Sequence, residues 1–417
     1  MPDQERAIFT LEMKETHTIL IPMMLPIHFR LIKKLLNLEG FKVEFLESMS
    51  PNIISTGLKY VNNDTCYPAQ LTIGQLLDAT LNLGYDTHKI ALLLPQTGGG
   101  CRASNYISLL RRALKKINME YIPVLSFNLL GMEENPGFNL SKGFIKKAIY
   151  AVLYGDMIMN IKNQVYPYEV KQGATDQAVD EVCSYLENQF VQNQGFKKKQ
   201  LKANCQYILK RFSEVQQTEG EKKTRVGIVG EIYVKFAPLG NNNLEAMLER
   251  ENCEVVIPGL MDFILYTIDA GIEDFYLYGT GKTKAVVSNF LYRYIINLQN
   301  TIIHSYDNFK AFRPATPFET TKSLARKIIH EGTKMGEGWL LTGEMVELIE
   351  SGVENIVCTQ PFGCLPNHIV GRGMLRKIKS VYPNANIVPI DYDASASHVN
   401  QENRIKLMLA STKEFDF

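Results

Sequence analysis

The chain has 417 residues, 45% of them hydrophobic and 21% charged, and a formal net charge of +1. That is the composition of an ordinary globular protein, and so even a charge balance argues against nucleic acid or an anionic membrane surface as a partner. No apolar run reaches the ~18 residues of a membrane span, and MPDQERAIFTLEMKETH is too charged for a secretory leader, so a cytoplasmic location is expected.

The length is too great for one core and points to two or three domains. In chain order, HTILIPMML reads as a strand, HFRLIKKLLNLEG as an amphipathic helix ending at Gly40, and KVEFLE as a second strand. LTIGQLLDATLNLG is a helix, KIALLLPQ a buried strand, NYISLLRRALKKIN a helix and YIPVLSF a strand. This alternation predicts a parallel sheet with covered faces, and a first α/β domain over residues 1–135. Residues 136–222 carry long polar and charged stretches without a strand signal and read as helical; the lysines of GFKKKQLK are a solvated helix face. From Arg225 a second alternation begins. RVGIVGEIYV, EVVIPGL, NIVCTQPF and NIVPIDYD are strands, and LEAMLERENC and LRKIKSVYP are helices, giving a second α/β domain over 223–417. The expected fold is therefore two open parallel-sheet domains, Rossmann- or flavodoxin-like, with a helical region between them and a site in the interdomain cleft.

Seven cysteines are too few and too scattered for a disulfide scaffold. Cys183 and Cys205 lie in helix-like segments and Cys253 in a core strand, which suits structural cysteines. Cys66 (NNDTCYPAQ), Cys101 (TGGGCRASNY), Cys358 and Cys364 (CTQPFGCLPNH) instead lie in loops beside glycine or proline. An open α/β sheet gathers ligands at the carboxyl ends of its strands. Cys101 follows KIALLLPQ, Cys358 closes the strand NIVC, Cys364 lies across the turn containing Pro361 and Gly363, and Cys66 precedes a helix. Structural zinc usually takes local cysteine pairs, whereas an iron–sulfur cluster needs only convergent thiolates. Gly98, Gly99 and Gly100 would admit main-chain N–H groups to such a cluster, with Arg102 beside them.

The stretches NNDTCYPAQLTIGQLLDA, QTGGGCRASNYISLLRRAL, GEGWLLTGEM, CTQPFGCLPNHIVGRGMLRKI and IDYDASASHVNQENRIKLMLA resemble the 2-hydroxyacyl-CoA dehydratase-related superfamily. The likeness is to the carboxy-terminal part of its long acyl-CoA dehydratase activase-related proteins, and it runs through both α/β domains. The resemblance implies an oxygen-sensitive iron–sulfur protein that takes low-potential electrons from a separate ATP-hydrolysing activator. It also implies a dimer with itself or a related subunit, within a dehydratase- or reductase-like system. Carried over by motif, the cluster ligands are Cys66, Cys101, Cys358 and Cys364. A single four-cysteine 4Fe–4S cluster ranks first, a three-cysteine cluster with one open iron second, and a double cubane third. A non-catalytic electron-transfer or scaffold subunit and a structural zinc protein are the alternatives.

LYGTGKTKA lacks the first glycine of a phosphate loop, because Tyr276 stands there, so Lys282 and Thr283 are expected to be loop residues. Glu337 and Glu344 are candidate proton donors near a reduced cluster, with Trp339 between them expected in the core. His368, four residues beyond Cys364, is a candidate proton relay, and His398 is placed in a loop near the cleft. Glu231, Asn241 and Asn242 are expected to line the cleft or to serve as ordinary loop polarity.

Overall fold

The computed structural model describes residues 6–96, 100–127, 133, 135–220 and 222–413. It contains two four-stranded parallel sheets. The first is built from β1 (Thr18–Pro22), β2 (Lys42–Leu46), β3 (Ile90–Pro95) and β4 (Val124–Phe127), in the order β2-β1-β3-β4. The second is built from β5 (Arg225–Gly230), β6 (Glu254–Val256), β7 (Asn355–Pro361) and β8 (Asn386–Tyr392), in the order β6-β5-β7-β8. The two orders are the same topology. Each places its switch point between its first and third strands, β1/β3 and β5/β7, where a crevice opens at the carboxyl ends.

Alternate residues of each strand enter different layers, as a covered parallel sheet requires. Ile19, Ile21, Ala91 and Leu93 face one core, and Leu20, Leu92 and Leu94 face another. In the second sheet Val226, Ile228 and Val357 share one layer, while Val229, Ile356 and Cys358 share the opposite one.

The helix Tyr67–Asn82 lies between the sheets. It is buried without interruption from Tyr67 to Thr80. Ile73, Leu76 and Leu77 pack with Leu20 and Leu92 of the first sheet, and Tyr67 and Leu71 pack with Ile228 and Val357 of the second. Its partner, the helix Pro51–Tyr60, approaches so closely that a Cβ on Gly74 would stand 2.3 Å from the Ile53 carbonyl oxygen. Gly74→Ala is expected to cost about 2–3 kcal/mol, because backbone rather than a movable side chain blocks it. A urea midpoint unchanged by this substitution would show that the crossing is loose.

The helices Phe144–Val165, Ala174–Val191 and Lys198–Ser213 occupy the region expected to be helical. The layer also takes in a second segment, the helices Leu260–Tyr278 and Lys282–Ile303, which lie within the stretch expected to be α/β. Leu265, Tyr266, Ile295 and Leu298 share one apolar core with Tyr150, Met157 and Leu209. The two helices turn through Gly279 and Gly281 at φ +69° and +72°, so the glycines of GTGKT are a turn. Lys282 and Thr283 are not loop residues; they begin the second helix, because those glycines complete the reversal before them. Similarly, His398 begins the helix His398–Lys413 rather than lying in a loop. Among the described residues, no helix is long and apolar enough to cross a membrane.

Two strand ends differ from the expectation. RVGIVGEIYV leaves the sheet at Gly230, which has a φ of +144° and where an added Cβ would stand 2.2 Å from the Thr359 carbonyl oxygen. Glu231 then caps the helix Ile232–Phe236. NIVC does not end at Cys358. Register with β8 continues through Thr359 and Gln360 to Pro361, opposite Tyr392, so Cys358 is interior to its strand.

Candidate functional site

Cys101 follows β3 and Cys364 follows β7, which are equivalent positions at the two switch points. Cys66 is the residue before the first turn of the shared helix Tyr67–Asn82. Three contacts stitch these loops together. The Tyr67 N–H donates to the Phe362 carbonyl at 3.0 Å. Gly363, at φ +73°, lies against the Cys66 backbone, where a Cβ would come 3.1 Å from Cys66 Cα. Arg102 Nη1 donates to the Asp64 carbonyl at 2.7 Å. The glycine in FGC is thus a close-approach residue as well as a turn residue.

The Cys101 loop is held from within. Ser104 donates through both N–H and Oγ to the Cys101 carbonyl, at 3.2 and 2.7 Å, and Gln96 Nε2 donates to the Ser104 carbonyl at 2.9 Å. Gly100 lies under the Met335 side chain. Gly98 and Gly99 lie outside the described residues. Cys66 Sγ is 3.0 Å from the Tyr106 hydroxyl, a partner that its sequence context did not signal.

Two carboxylates complete the cluster. Glu231 Oε2 accepts from the Val234 N–H at 2.9 Å, and Glu337 Oε1 accepts from the Ile232 N–H at 3.0 Å, so both sit on the first turn of the helix Ile232–Phe236. Burial pushes the Cys101 thiol up to about 11, and the charges of Glu337, Glu231 and Cys66 add to the rise. Burial likewise raises the Cys364 thiol, with Glu337, Glu231 and Cys101 contributing, and raises that of Cys66. Three thiols and two carboxyls therefore feel one another's charge, offset by Arg102 at Cys66 and by Lys235 at Glu337.

Cys358 stands apart. It is 0% exposed, lies under Leu341 and Met345 of the helix Gly338–Glu350, and precedes the end of its strand by ~10 Å at ~3.3 Å per residue. Burial pushes its thiol up to about 12, with Glu344 as the largest charged contributor. Cys183 and Cys205 are buried in the helical core, and Cys253 is buried beside Val255. Among the described residues, no three or more His, Cys, Asp or Glu side chains surround a single metal-ion position. The thiolates of a four-iron cluster bracket a larger body and lie about 6–7 Å apart.

The sequence matches no family model and no curated protein.

The remaining candidates have definite places. Glu344 does not reach the cysteine loops; it forms a buried ion pair with Lys235 at 2.8 Å. His368 Nδ1 is 2.6 Å from Gln360 Nε2, on the helix Leu365–Val370 just beyond Cys364. Trp339 packs in the core against Tyr266 and Phe318. Asn241 bonds the Val234 and Lys235 carbonyls and the Leu244 N–H, and Asn242 bonds Gln401, so both serve the fold.

Burial, and then the neighbouring Glu337, push the Glu231 carboxyl from 4.5 up to about 8. The folded, metal-free chain thus holds a proton that the unfolded chain releases. The stability this contributes is complete below about pH 4.5 and disappears as pH rises through about 8. Glu231→Gln keeps the cap acceptor and removes the titration. It is expected to be about 1–2 kcal/mol more stable than the parent at pH 8, with the gain vanishing near pH 4.5, in urea unfolding of the metal-free chain. A gain independent of pH would show that the carboxylate is solvated.

Proposed function

We propose that the protein is an iron–sulfur protein. It accepts low-potential electrons from a separate ATP-hydrolysing activator and serves as a component of a 2-hydroxyacyl-CoA dehydratase- or reductase-like system. The supporting observation is the meeting of the Cys66, Cys101 and Cys364 loops at the facing carboxyl ends of two topologically equivalent sheets. In support of such a group, Cys66, Cys101 and Cys364 are free, the Cys101 thiol feels the charge of Cys66 and the Cys364 thiol that of Cys101, and the close approach at Gly363 brings the Cys66 and Cys364 loops together.

Cys66, Cys101 and Cys364 would hold the cluster. A 4Fe–4S cluster there would supply storage for one electron at low potential. The protein's own residues do the rest. The Tyr106 hydroxyl steadies the Cys66 sulfur. The shared helix begins directly after Cys66 and covers one side of the site, and the Ala69 N–H of its first turn favours the Cys66 thiolate against the effect of burial. Burial raises the carboxyl groups of Glu337 and Glu231, which favours their holding protons within charge range of the thiols and suits the protonation steps of a reductase.

Anaerobic purification should yield about four irons and four sulfides per cluster, with an EPR signal on reduction. Reduction should depend on activator and MgATP, and the protein should run as a dimer with itself or a related subunit. Zinc as the sole bound metal would replace this reading with a structural one. Full reduction by an ordinary reductant, unaffected by activator and ATP, would remove the coupling.

A further inference from the structure

A cavity of about 170 Å³ lies where the end of β6 meets the helices Phe144–Val165, Leu260–Tyr278, Lys282–Ile303 and Gly338–Glu350. Its wall includes Asn163, Asp262, Gln299, Glu344 and Glu347, and Arg313, half exposed, connects it to solvent. Asn163 is 4% exposed, and its Oδ1 has no hydrogen-bond partner among the described residues. A polar space of this size holds several waters, and such an acceptor is where one binds.

A second, much smaller cavity of about 10 Å³ is lined by Gly230, Lys235, Glu337 and Glu344, between Phe236, Phe263 and Leu340. That is close to the room one water needs. Glu344 lines both cavities, with Lys235 Nζ donating to it at 2.8 Å. Beyond the small cavity stands Glu337, bonded to the Ile232 N–H, one residue from Glu231. Polar side chains therefore run from the large cavity to the cysteine site through an otherwise apolar core. A packed apolar core would be at least as stable as this buried string, so stability alone does not account for it.

We propose that this string is a proton path into the cysteine site. Water in the large cavity exchanges protons with Asp262 and Glu347. The Lys235–Glu344 pair relays them across the small cavity, and Glu337 delivers them beside Cys101 and Cys364. Only O–H and N–H bonds break and form. Each proton accepted on the cavity side is matched by one given up on the far side, so one proton moves inward and no charge is left in the core. The ionisable groups facing Glu344 are Lys235 from the helix Ile232–Phe236, Asp262 from the helix Leu260–Tyr278, Glu337 and Glu347 from its own helix and that helix's start, and Cys358 from β7. Burial raises the carboxyl groups of Asp262, Glu337, Glu344 and Glu347, which favours their protonated forms.

The purpose of the path rests on the iron–sulfur reading, but its existence can be tested on the metal-free full-length chain. The infrared C=O stretch of protonated Glu337 is identified by its loss in Glu337→Gln, at a pH where the parent shows it. After rapid dilution into D₂O, the rate at which that band shifts reports proton delivery to Glu337. In Lys235→Met/Glu344→Gln, which removes the relay without leaving a buried charge unpaired, the rate is expected to fall at least tenfold. Glu344→Asp, with Lys235 retained, should come within about threefold of the parent. Structural loosening would speed exchange, so a slower band cannot be produced by damage. An unchanged rate in the double variant, or no band lost in Glu337→Gln, overturns the proposal. Iron binding is measured separately: its failure with slowed exchange removes only the cluster, and the converse removes only the path.

Discussion

If the proposed cluster is bound, Cys364→Ser is expected to lose most of its iron, whereas Cys358→Ser should retain nearly all of it. The two cysteines belong to one short motif, and the resemblance offers both as ligands. The structure separates them by the length of half a strand. Cys364 lies past the end of β7, in the loop whose Phe362 carbonyl accepts from Tyr67 and whose Gly363 touches Cys66. Cys358 lies within β7, paired with Val229 and Pro389, and faces the apolar layer of the helix Gly338–Glu350. Reaching the site would require breaking that pairing. Cys66→Ser and Cys101→Ser should behave like Cys364→Ser, and serine at Cys183, Cys205 or Cys253 like Cys358→Ser. Iron and sulfide analysis of anaerobically prepared variants decides the matter. Equal loss from Cys358→Ser would restore the four-cysteine arrangement, and loss from Cys253→Ser would favour a double cubane.

Lys235→Met alone should destabilise the protein by about 3–5 kcal/mol, one of the largest effects of any single substitution away from the cysteines. Lys235 and Glu344 are each 4% exposed and bonded at 2.8 Å. Removing the ammonium leaves a carboxylate in the core with nothing to balance it. The double variant Lys235→Met/Glu344→Leu removes both charges and should return to within about 1 kcal/mol of the parent. The measurement is a urea unfolding series of the four members of the cycle, and their coupling energy isolates the pair. A small effect of Lys235→Met would show that water reaches Glu344 freely, and the enclosed ion pair would then be an open one.

All eight strands are legible in the sequence, because each is an apolar run set off by glycine, proline or charge. IALLLP, with five buried residues, is a continuous run because helices cover both faces of its sheet. Strand ends are less legible. VGIVG gives way to a helix because Gly230 adopts a backbone angle that other residues avoid and Glu231 caps the turn of helix after it. NIVC continues because Thr359 and Gln360, polar in composition, are buried and paired with β8. The second helical segment is hidden within an α/β pattern, because its apolar face is satisfied by helices distant in sequence.

The site divides in the same way. Local chemistry by itself marked Cys66, Cys101, Cys358 and Cys364 alike, each read as a loop residue beside glycine or proline, and it did not set Cys358 apart. It offered Glu337 and Glu344 together as proton donors, and Glu231 with Asn241 and Asn242 as cleft-lining residues or ordinary loop polarity. Only the tertiary structure decided which of these meet. The Cys66 backbone meets the Phe362–Gly363 loop because two sheets of the same topology clasp one helix, and Lys235 finds Glu344 across 109 positions of chain. Hydrophobic period and turn residues act within a few residues of one another, so they are written in the sequence. The meeting of two switch points depends on the packing of whole layers, and no local pattern carries that information.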